Sequence, residues 1–126
     1  MTFPLRRALL IVVSLTLMVA SGCRKANVPP PPLAADQIPA ELQKAFASST
    51  PEFKDTAQKI SSALAEKDYP AASAGIQVLF NAPGVSKQQR VITARAMLTI
   101  NQLLQEAQAA GDQKAAAAIQ YNKKYK

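Results

Sequence analysis

Two amphipathic helical patterns lie in residues 50–84, TPEFKDTAQKISSALAEKDYPAASAGIQVLFNAPG, and their pairing decides the fold. Thr50 is expected to cap the first helix with its side-chain oxygen, and Pro51 suits the first helical position. The first helix is predicted at about residues 51–66. Its apolar residues fall at steps of four, three and four, which places them on one face: Phe53, Ala57, Ile60 and Leu64.

The second pattern of the pair starts at Asp68 and Pro70 and ends at the helix-breaking residues Ala82-Pro83-Gly84. A few residues separate the two helices, so they are predicted to form an antiparallel hairpin. The apolar side of the second helix carries Ala72, Ile76, Leu79 and Phe80.

Two further helices are predicted toward the C-terminus. Ser86 and Gln89 form a capping-box pattern, and the helix that they begin runs to Gly111, a plausible C-terminal cap. Asp112 can cap a final alanine-rich helix. The main stripe of the longer helix comprises Met97, Ile100, Leu104 and Ala107, whereas Val91 and Leu98 lie off it and suggest contacts on two sides.

Toward the N-terminus, Leu42, Ala45 and Phe46 indicate a short amphipathic helix between residues 39 and 48. The segment before it contains Pro29-Pro30-Pro31-Pro32, which favours an extended polyproline II conformation and a stiff linker. We therefore expect a linker at residues 23–40 and an all-α domain at residues 41–126, a small antiparallel hairpin or bundle of about four helices. Its expected large core residues are Phe46, Phe53, Tyr69 and Phe80.

An export signal precedes this linker. Arg6 and Arg7 form its charged start, twelve mostly apolar residues follow at 8–19, and residues 20–22 are small. A membrane-spanning helix needs roughly 20 apolar residues, so this stretch is too short to remain as a span. Removal of residues 1–22 takes away two arginines and no acid, which lowers the formal net charge from +7 to +5.

The end of this signal, Ala20-Ser21-Gly22-Cys23, resembles the lipobox of bacterial lipoproteins. The resemblance implies cleavage between Gly22 and Cys23, a diacylglyceryl group on the Cys23 thiol, and membrane lipid as a partner. Arg24 stands where lipoproteins retained in the inner membrane often carry Asp. In a cell with two membranes, the resemblance therefore implies the outer membrane, facing the periplasm.

Internal similarity connects the two helical pairs at a spacing of 44 residues, matching Ile60 with Leu104 and Asp68 with Asp112. In addition, residues 68–72 followed by Ile76, Leu79 and Pro83 resemble the second helix of a tetratricopeptide unit. That resemblance covers half a repeat, and it implies packed antiparallel helices with a protein-binding surface.

The sequence offers little for chemistry. It contains no histidine, and its one cysteine is Cys23, so the commonest general base and a free thiol are both missing from the expected mature chain. Ser48-Ser49-Thr50 is interpreted as a loop and cap. We predict no enzymatic activity and no cofactor or metal. The basic charge favours anionic lipids or cell-wall polymers, and export makes nucleic acid an improbable partner.

Two functions remain. The first is an envelope protein-interaction module held by its lipid anchor. The alternative is a structural lipoprotein joined to peptidoglycan, because the end Lys123-Lys124-Tyr125-Lys126 resembles the terminus of Braun-type murein lipoproteins. That resemblance implies attachment through the side-chain amine of Lys126.

Overall fold

The structure, a computed structural model, describes residues 29–125, and within them the chain is all-α without a strand. The predicted fold class is confirmed, with five α-helices rather than about four. A 3-10 turn at Ala35–Gln37 leads into the first of them. The helices are α1 (Ile38–Ala45), α2 (Pro51–Ala65), α3 (Tyr69–Asn81), α4 (Lys87–Ala109) and α5 (Gln113–Lys124).

Two of the predicted helix caps, at Ser86 and at Asp112, are confirmed, and Asp68 caps a third helix. The Asp68 carboxylate accepts a hydrogen bond from the Ala71 amide at 3.2 Å, and the Asp112 carboxylate accepts one from the Ala115 amide at the same distance. Ser86 and Gln89 form the reciprocal capping box, with distances of 3.1 and 2.9 Å. These caps satisfy amides that have no partner within the helix, which fixes where α3, α4 and α5 begin.

The predicted side-chain cap at Thr50 is wrong, because the Thr50 hydroxyl accepts no hydrogen bond from the first turn of α2. The Thr50 carbonyl instead accepts the Lys54 amide at 3.1 Å, which begins the helical ladder. Pro51 does occupy the first helical position, as predicted, where its fixed φ suits the start of α2.

The helices pack as two successive antiparallel pairs, α2 with α3 and α4 with α5. Helix α4 also packs against α3, α5 reaches back to α3, and α1 lies against both α2 and α4. The core is therefore shared by all of the first four helices. Its buried side chains are Leu33, Ile38, Leu42, Phe46, Ala57, Ile60, Ala63, Ala72, Ile76, Leu79, Val85, Ala96 and Ile100.

Among the expected aromatic core residues, Phe46 is the one that is fully buried. Phe53 is half-buried and meets Phe46 edge to face, with ring centroids 6.2 Å apart. Tyr69 and Phe80 are also half-buried. Aliphatic and alanine side chains fill most of the centre, and the aromatic rings other than Phe46 cover its edges.

The helical unit begins earlier than the predicted boundary at residue 41. Leu33 is 4% exposed and Ile38 is completely buried, so both belong to the core. Burial of these two apolar side chains against the helices stabilises the folded state. The last residues of the predicted linker are consequently part of the folded unit.

The turns within the two helical pairs have the same geometry at the predicted spacing of 44 residues. The Asp68 amide donates to the Ala63 carbonyl at 2.8 Å, and the Asp112 amide donates to the Ala107 carbonyl at 3.0 Å. The residue before each aspartate has a positive φ, 57° at Lys67 and 95° at Gly111. The similarity in sequence thus corresponds to a repeated helix-turn-helix connection.

Arg90 joins α4 to the end of α3. Its guanidinium donates to the Phe80 carbonyl at 2.7 Å and to the Ala82 carbonyl at 3.2 Å. These carbonyls lie at the helix C-terminus, where the intrahelical ladder ends and the macrodipole favours a cation.

Replacement of Arg90 by methionine should lower the free energy of unfolding by about 1–2 kcal/mol, because both charged hydrogen bonds to α3 are lost. Urea unfolding followed by circular dichroism measures the change. Lys87→Met is the matched control, since Lys87 is exposed on the same helix. Equal midpoints for the two variants would contradict the assigned role of Arg90.

Candidate functional site

The residues predicted to be modified lie outside the described part of the chain. Gly22 and Cys23 precede residue 29, and Lys126 follows residue 125. The structure does describe the segments next to them. These are residues 29–33, which we call the tether segment, and the C-terminal end of α5.

The tether segment is fixed across α4. The Arg95 Nε–H donates to the Pro31 carbonyl at 2.8 Å, and the Leu33 amide donates to the Arg95 carbonyl at 3.4 Å. The Thr99 hydroxyl donates to the Leu33 carbonyl, while the Leu33 side chain is buried. The route from the expected anchor thus reaches the helical unit at one defined place on α4.

Replacement of Thr99 by valine should loosen the tether segment, because the Leu33 carbonyl loses its side-chain donor at a cost of about 1 kcal/mol. Faster hydrogen exchange of the Leu33 amide would report the change. Thr56→Val is the matched control, since the Thr56 hydroxyl bonds to the Glu52 carbonyl within its own helix at 3.0 Å. Unchanged exchange at Leu33 would contradict the assigned role of Thr99.

A groove between α3 and α5, which we call the α3–α5 groove, is the best candidate for binding a partner. It has a volume of about 470 Å³, and two large side chains at its edge are exposed, Val78 at 59% and Tyr121 at 64%. Its lining residues are Pro70, Ser73, Ala74, Gln77, Val78, Asn81, Ala118, Tyr121 and Asn122.

Amide side chains cross the floor of the α3–α5 groove. Gln77 Nε2 lies 3.3 Å from Ser73 Oγ and 3.5 Å from Asn122 Oδ1. A surface that combines exposed apolar groups with hydrogen-bonding amides suits a peptide or protein better than a small charged ligand. The sequence analysis missed this groove because Val78 and Tyr121 belong to helices from different pairs.

An aromatic and basic surface continues from the groove to the end of α5. The rings of Tyr121 and Tyr125 have centroids 4.6 Å apart, and Lys124 Nζ lies 5.3 Å from the centroid of Tyr125. Tyr125 is exposed. This end can therefore meet another molecule through both apolar ring surface and positive charge.

A second groove, of about 690 Å³, lies between α1 and α2 and has a charged edge that includes Lys54 and Asp55. Asp55 pairs with Lys59 at 2.7 Å. The hydrogen bond that the Lys59 ammonium donates to the Asp55 carboxylate, together with the negative charge of that carboxylate, raises the pKa of Lys59 above its ordinary value. Both side chains are solvated, so this ion pair contributes little to stability.

Among Ser48, Ser49 and Thr50, the Ser49 hydroxyl takes part in a structural contact with α4. Ser49 Oγ accepts from Gln89 Nε2 at 2.9 Å, and the same amide group donates to the Ala45 carbonyl at 3.0 Å. Residues 29–125 contain no group of three side chains suited to hold a metal ion. Among the helices described, none combines the length and apolar character needed to cross a membrane.

No protein family, curated protein or solved structure in the comparisons matches the chain.

Proposed function

We propose that the protein is a bacterial lipoprotein, anchored in the cell envelope through acylated Cys23, whose helical unit binds another envelope protein. The signal pattern that ends in Gly22-Cys23 supports export and acylation. On this proposal the chain is not an enzyme and needs no cofactor, and it faces the periplasm from the outer membrane where two membranes exist.

The α3–α5 groove is the observation that carries the binding role. Val78 and Tyr121 expose more than half of their surface although both are large and apolar or aromatic. Tyrosine supplies a large contact area at low entropic cost, and interfaces are enriched in it. The hydrogen bond between Gln77 Nε2 and Asn122 Oδ1 is long, at 3.5 Å, and both amides can exchange it for hydrogen bonds to a partner.

Photo-crosslinking in living cells tests the binding role. A benzophenone amino acid at Val78 or Tyr121 should give one discrete cross-linked species, to be identified by mass spectrometry. The same amino acid at Gln105, which is exposed on α4, is the matched control and should not give that species. Recovery of the uncrosslinked lipoprotein from both groove positions would count against the proposal.

Attachment to peptidoglycan is the second candidate, and the exposed end of α5 favours it. Lys123, Lys124 and Tyr125 are all exposed, so the described end of α5 is accessible to a large partner. Digestion of purified cell wall should then release a peptide that ends in a modified Lys126. Cell wall free of such a peptide would remove this candidate and leave the first one standing.

A further inference from the structure

Two exposed apolar side chains flank the arginine that holds the tether segment. Val91 is 41% exposed and Leu98 is 48% exposed. They lie four residues before and three residues after Arg95, so all three share one face of α4. The sequence analysis expected Val91 and Leu98 to contact a second element, but no described element covers them.

This face of α4, Val91, Arg95 and Leu98, is called the anchor face below. The tether segment leaves the helical unit beside it, because Pro31 is bound to Arg95. Farther along α4 the exposed side is polar, with Gln102 donating to Glu106 at 2.9 Å. The exposed apolar surface of α4 is therefore concentrated around Arg95, beside the tether segment.

The chain between the anchor residue and the tether segment is short. Six residues, 23–28, connect Cys23 with the start of the tether segment, and a fully extended chain of that length spans at most about 22 Å. Helix α4 has 23 residues and is about 35 Å long. Because residues 23–28 span less than the length of α4, an acylated Cys23 would keep the tether segment close to the membrane.

We propose that the anchor face rests on the lipid surface, with Val91 and Leu98 in the interfacial region of the bilayer. This inference depends on the proposed acylation of Cys23, which places the end of the short connection in the membrane. Exposed apolar groups next to a membrane partition into its interface, and cations are attracted to anionic headgroups.

Arg95 can serve the tether segment and a headgroup together. A guanidinium carries five N–H donors, and the Nε–H is the one that binds the Pro31 carbonyl. Arg95 is partly exposed, and its terminal nitrogens can bind a lipid phosphate in the two-pronged manner typical of arginine. Lys87, exposed in the first turn of α4, adds a second positive charge.

Site-directed fluorescence on the mature lipoprotein tests the anchor face. Val91→Cys and Leu98→Cys are each labelled with bimane and reconstituted in vesicles of phosphatidylethanolamine and phosphatidylglycerol. Acylated Cys23 carries no thiol and does not react. Val78→Cys is the matched control, because it is more exposed than either test position and lies on α3. Quenching by doxyl-labelled lipid and by aqueous iodide is measured for each label.

The labels at residues 91 and 98 should be quenched several-fold more by doxyl lipid than the label at residue 78, and iodide should show the reverse order. Equal quenching at all three positions, with acyl mass present on Cys23, would overturn the anchor face and leave the proposed lipoprotein intact. An intact mass without added acyl groups on Cys23 would overturn both the anchor face and the proposed lipoprotein. Circular dichroism of each variant verifies that the helices are retained.

Discussion

Replacement of Phe46 by alanine should lower the free energy of unfolding by about 3–5 kcal/mol, the cost typical of removing a buried phenylalanine. Phe46 is 1% exposed and is the C-cap residue of α1. Its ring meets Phe53 of α2 edge to face at 6.2 Å. The substitution removes this contact and leaves a cavity between α1 and its neighbours.

Urea unfolding of the purified protein, followed by the circular dichroism of its helices, measures the loss. Phe53→Ala is the first control and should cost less, because the Phe53 ring is only half-buried. Val78→Ala, at an exposed position, should change stability by less than about 0.5 kcal/mol. A Phe46→Ala midpoint that matches that of Val78→Ala would contradict the placement of Phe46 in the core.

The loss at Phe46 should also reach the tether segment. Domains of this size have unfolding free energies of about 5–15 kcal/mol, so the substitution removes a large part of the total. Helix α1 begins at Ile38, five residues after Leu33, and both of these side chains are buried in the same core as Phe46. When α1 loosens, Leu33 loses part of its packing, and the tether segment should exchange its amide hydrogens faster.

The caps and the helix order could be predicted because they depend on residues close together in sequence. The Asp112 cap acts across three positions, as does the Ser86 and Gln89 box. The Thr50 prediction failed although it was equally local, since the Thr50 hydroxyl accepts no hydrogen bond from α2. The residue type shows which side chains can cap a helix, and the geometry at each helix start determines which of them form the hydrogen bond.

The tether segment and the groove could not be predicted, because they depend on contacts between distant residues. Arg95 reaches Pro31 across 64 positions, and Gln77 reaches Asn122 across 45. A proline run has the same composition whether it is solvated or packed. The one feature of the sequence that could have indicated packing of this segment is Leu33, an apolar residue directly after the proline run. Its side chain is buried.

Replacement of Cys23 by serine should abolish lipid attachment altogether. The expected thioether requires a thiol nucleophile, and a serine hydroxyl at the same position reacts far less readily. Intact mass spectrometry should show a mature N-terminus at Cys23 with added acyl mass in the unaltered protein. In Cys23→Ser, the mass should correspond to an unacylated chain that still carries residues 1–22.

Mass rather than fractionation is the decisive readout for Cys23→Ser, because an uncleaved signal peptide can itself hold the chain at a membrane. Arg24→Asp is the matched control, since it alters the neighbouring residue and leaves the thiol in place. The control should keep its acyl mass and, in a cell with two membranes, shift toward the inner membrane. An acylated Cys23→Ser protein would exclude Cys23 as the anchor, and the short connection to Pro29 would then no longer bring α4 to the bilayer.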